Sequence, residues 1–171
     1  MLRLRQFNAL AKVRVFMATT HTEPDQELKT SLDRFENCLV TPMMAGELVE
    51  WVGEVQSAWA DISAHVREHV TELHERQYKQ ISKQDPELLP RIEKLQAEDA
   101  ALEVDCDEFD RLLHRFAEHA PKFEPDEEKI ASHAKALVDD GIEFVTRVRK
   151  QEAAVHAWFV EAFTRDCGVA D

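Results

Sequence analysis

Turn-forming residues are scarce in this chain. It has only four glycines and six prolines in 171 residues. That excludes the many tight reversals of a β-sandwich or barrel. No stretch alternates apolar and polar residues over a useful length, and no Asn-Gly or Asp-Gly pair separates β-branched runs, so strands are not expected. The three cysteines, Cys38, Cys106 and Cys167, are odd in number and far apart. They form no CxxC pair, which argues against a disulfide framework and against a cysteine-based zinc site; buried or half-buried thiols in a reducing compartment are expected. No apolar run approaches the ~20 residues of a membrane span, and a signal-peptide core is missing, so a cytoplasmic protein without membrane contact is expected. Basic residues are in deficit too. Lys and Arg number 21 against 34 Asp and Glu, a net charge of −13, and nucleic acid is a poor partner for such a chain.

What remains is a helix-forming composition, rich in Ala, Glu, Leu and Lys/Arg, with 44% hydrophobic and 32% charged residues. The length suits one domain with its own core. The first sixteen residues, MLRLRQFNALAKVRVF, stand apart, with Arg3, Arg5, Lys12, Arg14 and no acid. Three readings stay open for them: a translated leader ahead of a start at Met17, a basic amphipathic helix, or a targeting peptide. Residues 1–20 are set aside as an N-terminal basic extension and residues 21–171 as a single domain.

Four amphipathic stretches fill that domain. The first begins near HTEPDQ, with Thr22 as cap and Pro24 in the first turn, carries Leu28, Leu32, Phe35 and Leu39, and stops before Pro42. The second covers roughly 46–83, with Leu48, Trp51, Val52, Val55, Trp59, Ile62, Val66, Val70 and Leu73 on one face. KQDPELLP breaks the chain, Asp85 capping ahead of Pro86. The third, about 88–119, repeats Ile92, Leu95, Asp99, Leu102, Cys106, Phe109, Leu113 and Phe116. After APKFEPDEE the fourth, about 126–165, carries Ile130, Ala134, Leu137, Gly141, Phe144, Val148, Gln151, Val155, Trp158 and Ala162. Short connections between four such helices predict an all-α, up-down-up-down four-helix bundle.

Two stripe positions are polar, Asp99 and Gln151. Equal distances from the intervening turns place His69, Asp99 and Gln151 in one buried polar layer. His65 and Glu72 lie a turn away on the face of the second helix that carries His69. A lone buried carboxylate costs several kcal/mol, so Asp99 needs a partner: a histidine or a metal ion. His65, His69, Glu72 and Asp99 are the candidate metal ligands. An i, i+4 histidine pair with a carboxylate suits Zn²⁺. His74, His114, His119 and His133 flank the stripes and are expected at exposed or half-exposed positions, and His156 as a half-buried packing residue.

The stretch VREHVTELHERQYKQISKQDPELLPRIEKLQAEDAAL, with the closing WFVEAFTRDCGVAD, resembles the hemerythrin-like (HHE cation-binding) domains over roughly residues 25–171. The resemblance implies a four-helix bundle holding two irons between histidines and bridging carboxylates. The chain departs from that ligand set. Asp99 stands where the third helix should carry a histidine, and Gln151 stands where the fourth should, with His156 further on. The first helix has none, His21 lying upstream of its cap. Glutamine is a poor iron ligand. The expectation is therefore a non-catalytic hemerythrin-like bundle that has lost its di-iron site, needs no cofactor, and acts through contacts with another protein or a second copy of itself. The alternative is a metal-binding domain, mononuclear or di-iron, with iron or zinc, serving as sensor, store or oxygen handler. A phosphate loop, a GxSxG elbow and an HExxH motif are all missing, so no enzymatic signature is present.

Overall fold

A computed structural model describes residues 24–41, 46–123 and 127–165. The basic extension, the Met17 start, His21, the Thr22 cap, Cys167 and the first inter-helix turn at 42–45 lie outside the described residues. Every described element is helical: α1 (Pro24–Val40), α2 (Leu48–Glu68), a π-helical segment (His69–His74), α3 (Glu75–Gln84), a 3₁₀ turn (Pro86–Leu88), α4 (Leu89–Phe123) and α5 (Glu127–Thr164). α2, the π segment and α3 form one continuous rod, because both junction residues, His69 and His74, keep right-handed helical backbone angles. Four long helices result. None of them is long and apolar enough to cross a membrane.

The breaks follow local chemistry. Asp85 leaves the helical region (φ −138°, ψ 92°), and its carboxylate accepts a hydrogen bond from the Glu87 backbone N–H at 3.1 Å. This cap, with Pro86 at the first helical position, ends the second rod and starts the third. α2 follows Gly46, whose φ of +89° is left-handed backbone that glycine adopts without strain.

Two apolar clusters form the core. The larger holds Leu28 to Leu39 of α1, Leu48 to Val70 of the second rod, Leu102 to Ala120 of α4 and Ala134 to Val148 of α5. The smaller holds Tyr78 and Ile81 of α3, Leu88 in the 3₁₀ turn, Ile92 and Leu95 of α4, and Val155, Phe159 and Ala162 of α5. Along every rod that enters both clusters, buried polar residues stand at the junction: His69, His74 and Gln77, with Leu73 among them, then Asp99, then Gln151. α1 packs only in the larger cluster.

Ion pairs tie neighbouring helices on the outside. Arg34 of α1 pairs with Asp61 of α2, and Arg147 of α5 with Asp105 of α4. Arg67 reaches Asp107 at 2.7 Å, and Arg149 reaches Asp33 at 2.8 Å and Glu36 at 2.6 Å. Exposed pairs of this kind contribute under about 1 kcal/mol each.

Two expected burials differ. Trp158 is only half-buried, with the Arg91 guanidinium 5.1 Å from its ring centroid, and Phe159 takes the core position. His156 is exposed rather than half-buried.

A candidate metal centre between the two cores

An α-helix places residues three or four apart on one face. A π turn bonds i to i+5, which accommodates one extra residue within a helix and brings residues five apart together. In the segment His69–His74 its first and last residues both turn inward, 5% and 0% exposed. Their rings pack edge to face, with centroids 5.2 Å apart. His74, expected to flank the stripe at an exposed or half-exposed position, is thus among the most buried side chains of the protein. The α-helical repeat used to place it does not continue through the π segment.

Both rings meet one carboxylate. His69 Nε2 donates to Glu152 Oε2 at 2.9 Å. His74 Nε2 lies 2.9 Å from Glu152 Oε1, but outside the geometry of a hydrogen bond. One ligand atom from each of His69, His74 and Glu152 can be chosen so that all three lie within 4.8 Å of one another.

A second carboxylate sits behind the first histidine pair. Asp99 accepts from His74 Nδ1 at 3.0 Å, from Tyr78 Oη at 2.6 Å and from Gln151 Nε2 at 2.6 Å. Gln151 Nε2 also donates to the Leu95 carbonyl at 2.9 Å. The need of Asp99 for a partner is therefore met three times over.

The electrostatics follow from two carboxylates and two imidazoles in a largely buried layer. Burial alone pulls the His74 pKa down, but the hydrogen bond to Asp99, the Glu152 carboxylate 2.9 Å from Nε2 and the negative charge of both together outweigh it and raise it to about 9. Burial pushes Glu152 up, and the opposing pull of His69 and His74 brings it down to about 2. The Tyr78 hydroxyl is held protonated, first by burial and then by the Asp99 carboxylate.

The four candidate ligands read from the sequence divide. His69 joins the cluster. Asp99 stands one bond behind it, orienting His74. His65 does not join: its Nδ1 is 2.8 Å from the hydroxyl of Ser31, on the α1 side of the second rod. Glu72 is exposed. Gln151 is buried beside Asp99 and touches it directly. The two members of the cluster that sequence reasoning passed over are His74 and Glu152. A signal for the first was present: His74, Tyr78 and Ile81 each fall about one residue beyond the 3.6-residue repeat set by Val55, Trp59, Ile62, Val66 and Leu73, as an inserted residue would require. Glu152 has no such signal, being a polar residue next to a stripe position on a charged helix.

Compared with known proteins, the chain matches no family model, and no curated protein or solved structure is significantly similar to it.

Proposed function

We propose that this protein binds one divalent metal ion, Zn²⁺ or Fe²⁺, through His69 Nε2, His74 Nε2 and the Glu152 carboxylate, in an up-down-up-down bundle of hemerythrin-like type. Of the two readings open from the sequence, this favours the metal-binding one over a bundle that acts through protein contacts alone. One observation carries it: the Nε2 of buried His74 is 2.9 Å from a carboxylate oxygen yet makes no hydrogen bond to it. With His69 Nε2, these atoms form a group within 4.8 Å of one another, as shared ligation of an ion requires. Tetrahedral ligands about 2.0–2.1 Å from a zinc ion stand roughly 3.3–3.4 Å apart, so the present contacts need to open by only about half an ångström.

The surroundings support the same reading. A ligating histidine commonly donates its other ring N–H to a carboxylate, which fixes the tautomer that leaves a lone pair for the metal. Asp99 does this for His74 through Nδ1. Two imidazoles and one carboxylate leave coordination positions open, as in mononuclear sites that bind a further ligand. A pair of irons fits these residues poorly: Asp99 is taken up by three hydrogen bonds, and the glutamine at 151 offers the second metal little. The up-down-up-down order is supported by the run of the two clusters, since α2 and α5 enter the larger one first and α4 the smaller one first.

Metal analysis of protein purified without chelator, followed by equilibrium dialysis against Zn²⁺, Fe²⁺ and Co²⁺, tests the proposal. One equivalent bound by the parent, and at least tenfold weaker binding in Glu152→Gln and His74→Gln, is the expected result. No uptake by the folded parent at micromolar free metal overturns it.

A further inference from the structure

We infer that the metal ion enters and leaves through the cleft between α1 and α5, past Glu152, and that two cations on the cleft lining, Lys29 and Arg149, set the rate. The inference rests on the metal reading above and concerns access to that centre. Of the three ligands, Glu152 alone reaches the surface to any extent: its side chain is 29% exposed, against 4% for His69 and 1% for His74. Glu152 also lines the cleft, which has a volume of about 340 Å³ and is walled by residues of α1, α3 and α5. An ion carrying six waters takes up roughly 200 Å³, at about 30 Å³ for each water-sized group. The cleft therefore admits a hydrated divalent ion as far as the carboxylate.

The order of contacts follows from the geometry. Glu152 Oε2 is 2.9 Å from His69 Nε2, and Oε1 is 2.9 Å from His74 Nε2, so each oxygen faces one ring. An ion arriving from the cleft meets the carboxylate first and passes from it to the buried rings, exchanging water for ligands in steps. The charges on the way oppose that approach. Lys29 and Arg149 offset Asp33 and Glu152 on the same lining, so a cation finds no net attraction there. Arg149 of α5 is held by Asp33 at 2.8 Å and Glu36 at 2.6 Å, both on α1, and these pairs tie the two walls of the cleft together. Lys29 stands exposed on the α1 wall.

The test is stopped-flow transfer of Zn²⁺ from a chromophoric chelator to the metal-free full chain, and back into excess chelator. Lys29→Glu, at an exposed position, changes two units of charge beside the path of a divalent ion. It should raise the uptake rate by about three- to tenfold at low ionic strength. The gain should fade at about 1 M salt, where the Debye length is only about 3 Å. Lys94→Glu makes the same change at an exposed position on α4, which contributes nothing to the lining, and should leave the rate within about twofold. Arg149→Gln unties the walls and should speed uptake and release together, severalfold each. Equal uptake by the parent and Lys29→Glu, an equal gain in Lys94→Glu, or release unchanged in Arg149→Gln overturns the inference. Dialysis of the same preparation separates the two readings. Protein that binds one metal ion at rates indifferent to Lys29 sinks the entry route alone, and protein that takes up no metal sinks both.

Discussion

The larger apolar cluster and the polar layer beside it solve opposite packing problems. In the cluster, Phe35 is fully buried with its ring 5.3 Å from Trp59 and 5.7 Å from Phe109, and Trp59 stands 4.4 Å from Phe109 and 5.0 Å from Phe144. The tryptophan indoles send their N–H groups outward, Trp59 to Asp110 at 2.5 Å and Trp51 to the Cys38 carbonyl at 3.0 Å, so the interior stays apolar. Buried Cys106 fits this pattern, its thiol pushed up to about 11 chiefly by burial and so inert. In the layer, polar side chains meet in the interior, and order depends on each donor finding its acceptor. Apolar packing is non-directional and tolerates small errors, whereas a buried polar network fails at its weakest member. A fold built only for stability would continue the first solution through the second region.

The largest effect should come from emptying the aromatic cluster. Phe35→Ala removes a ring that touches two others and leaves a cavity that four long helices cannot close. A loss of about 3–5 kcal/mol is expected, measured by urea denaturation. A loss below about 1 kcal/mol would show that α1 is not held as the structure places it.

Breaking the polar layer should cost nearly as much through a different term. Asp99→Leu restores the apolar stripe between Leu95 and Leu102, yet it strands donors on His74, Tyr78 and Gln151. The expected loss is about 2–4 kcal/mol. The combination Asp99→Leu, His74→Leu, Tyr78→Phe and Gln151→Leu removes the donors as well and should recover most of it, which a simple volume effect would not allow. An Asp99→Leu protein as stable as the parent would mean that these hydrogen bonds contribute nothing net.

The same contrast decides what could be read from the sequence. The four rods were legible because Pro24, Pro42, Pro86 and the stripes of Leu, Val, Ile and Phe mark element limits and faces by local rules. Asp99 and Gln151 were legible as polar intruders on apolar stripes. His74 was hard to read, because its inward turn depends on a π segment, and only the one-residue offset of His74, Tyr78 and Ile81 from the helical repeat marks the inserted residue. His65, which spacing puts on the face of His69, meets Ser31, 34 positions away on α1. Glu152 needed the three-dimensional meeting of α5 with the π segment, 83 positions from His69, to acquire any meaning.

The charge state of the layer gives a pH test that the aromatic cluster cannot imitate. His74 has its pKa raised to about 9 from an ordinary 6.5, so its contribution is whole below about pH 6.5 and is lost as pH rises through 9. Glu152 has its pKa lowered to about 2 from 4.5, so its contribution is whole above about pH 4.5 and is lost as pH falls through 2. With chelator present, stability should peak between about pH 4.5 and 6.5 and fall by on the order of 2–3 kcal/mol by pH 9. Glu152→Gln should shrink the alkaline loss, since it removes one of the two charges holding the His74 proton. Denaturant midpoints that stay level from pH 6.5 to 9 in the parent would contradict the coupling.

The smallest expected effects concern two helical glycines, one exposed and one facing the larger cluster. A Cβ built on Gly53 of α2 would meet nothing within 4 Å, whereas one on Gly141 of α5 would come within 2.6 Å of Leu39 Cδ1 and 3.3 Å of Phe109 Cζ. Alanine gains about 0.5–1 kcal/mol over glycine inside a helix by restricting the unfolded chain. At Gly53 that gain is unopposed, and Gly53→Ala should raise stability by this amount. At Gly141 the same gain meets a leucine terminus that is itself 2% exposed within the packed cluster, so it has little room to withdraw. Overpacking of a dense core costs about 1–3 kcal/mol, and Gly141→Ala should therefore come out destabilising by about 1 kcal/mol. The informative quantity is the difference between the two variants under one set of conditions, because the intrinsic helix term cancels and the close approach of α1 to α5 remains. Equal stabilisation at both positions would mean that Leu39 moves aside freely and that the contact between α1 and α5 is looser than the rest of the cluster.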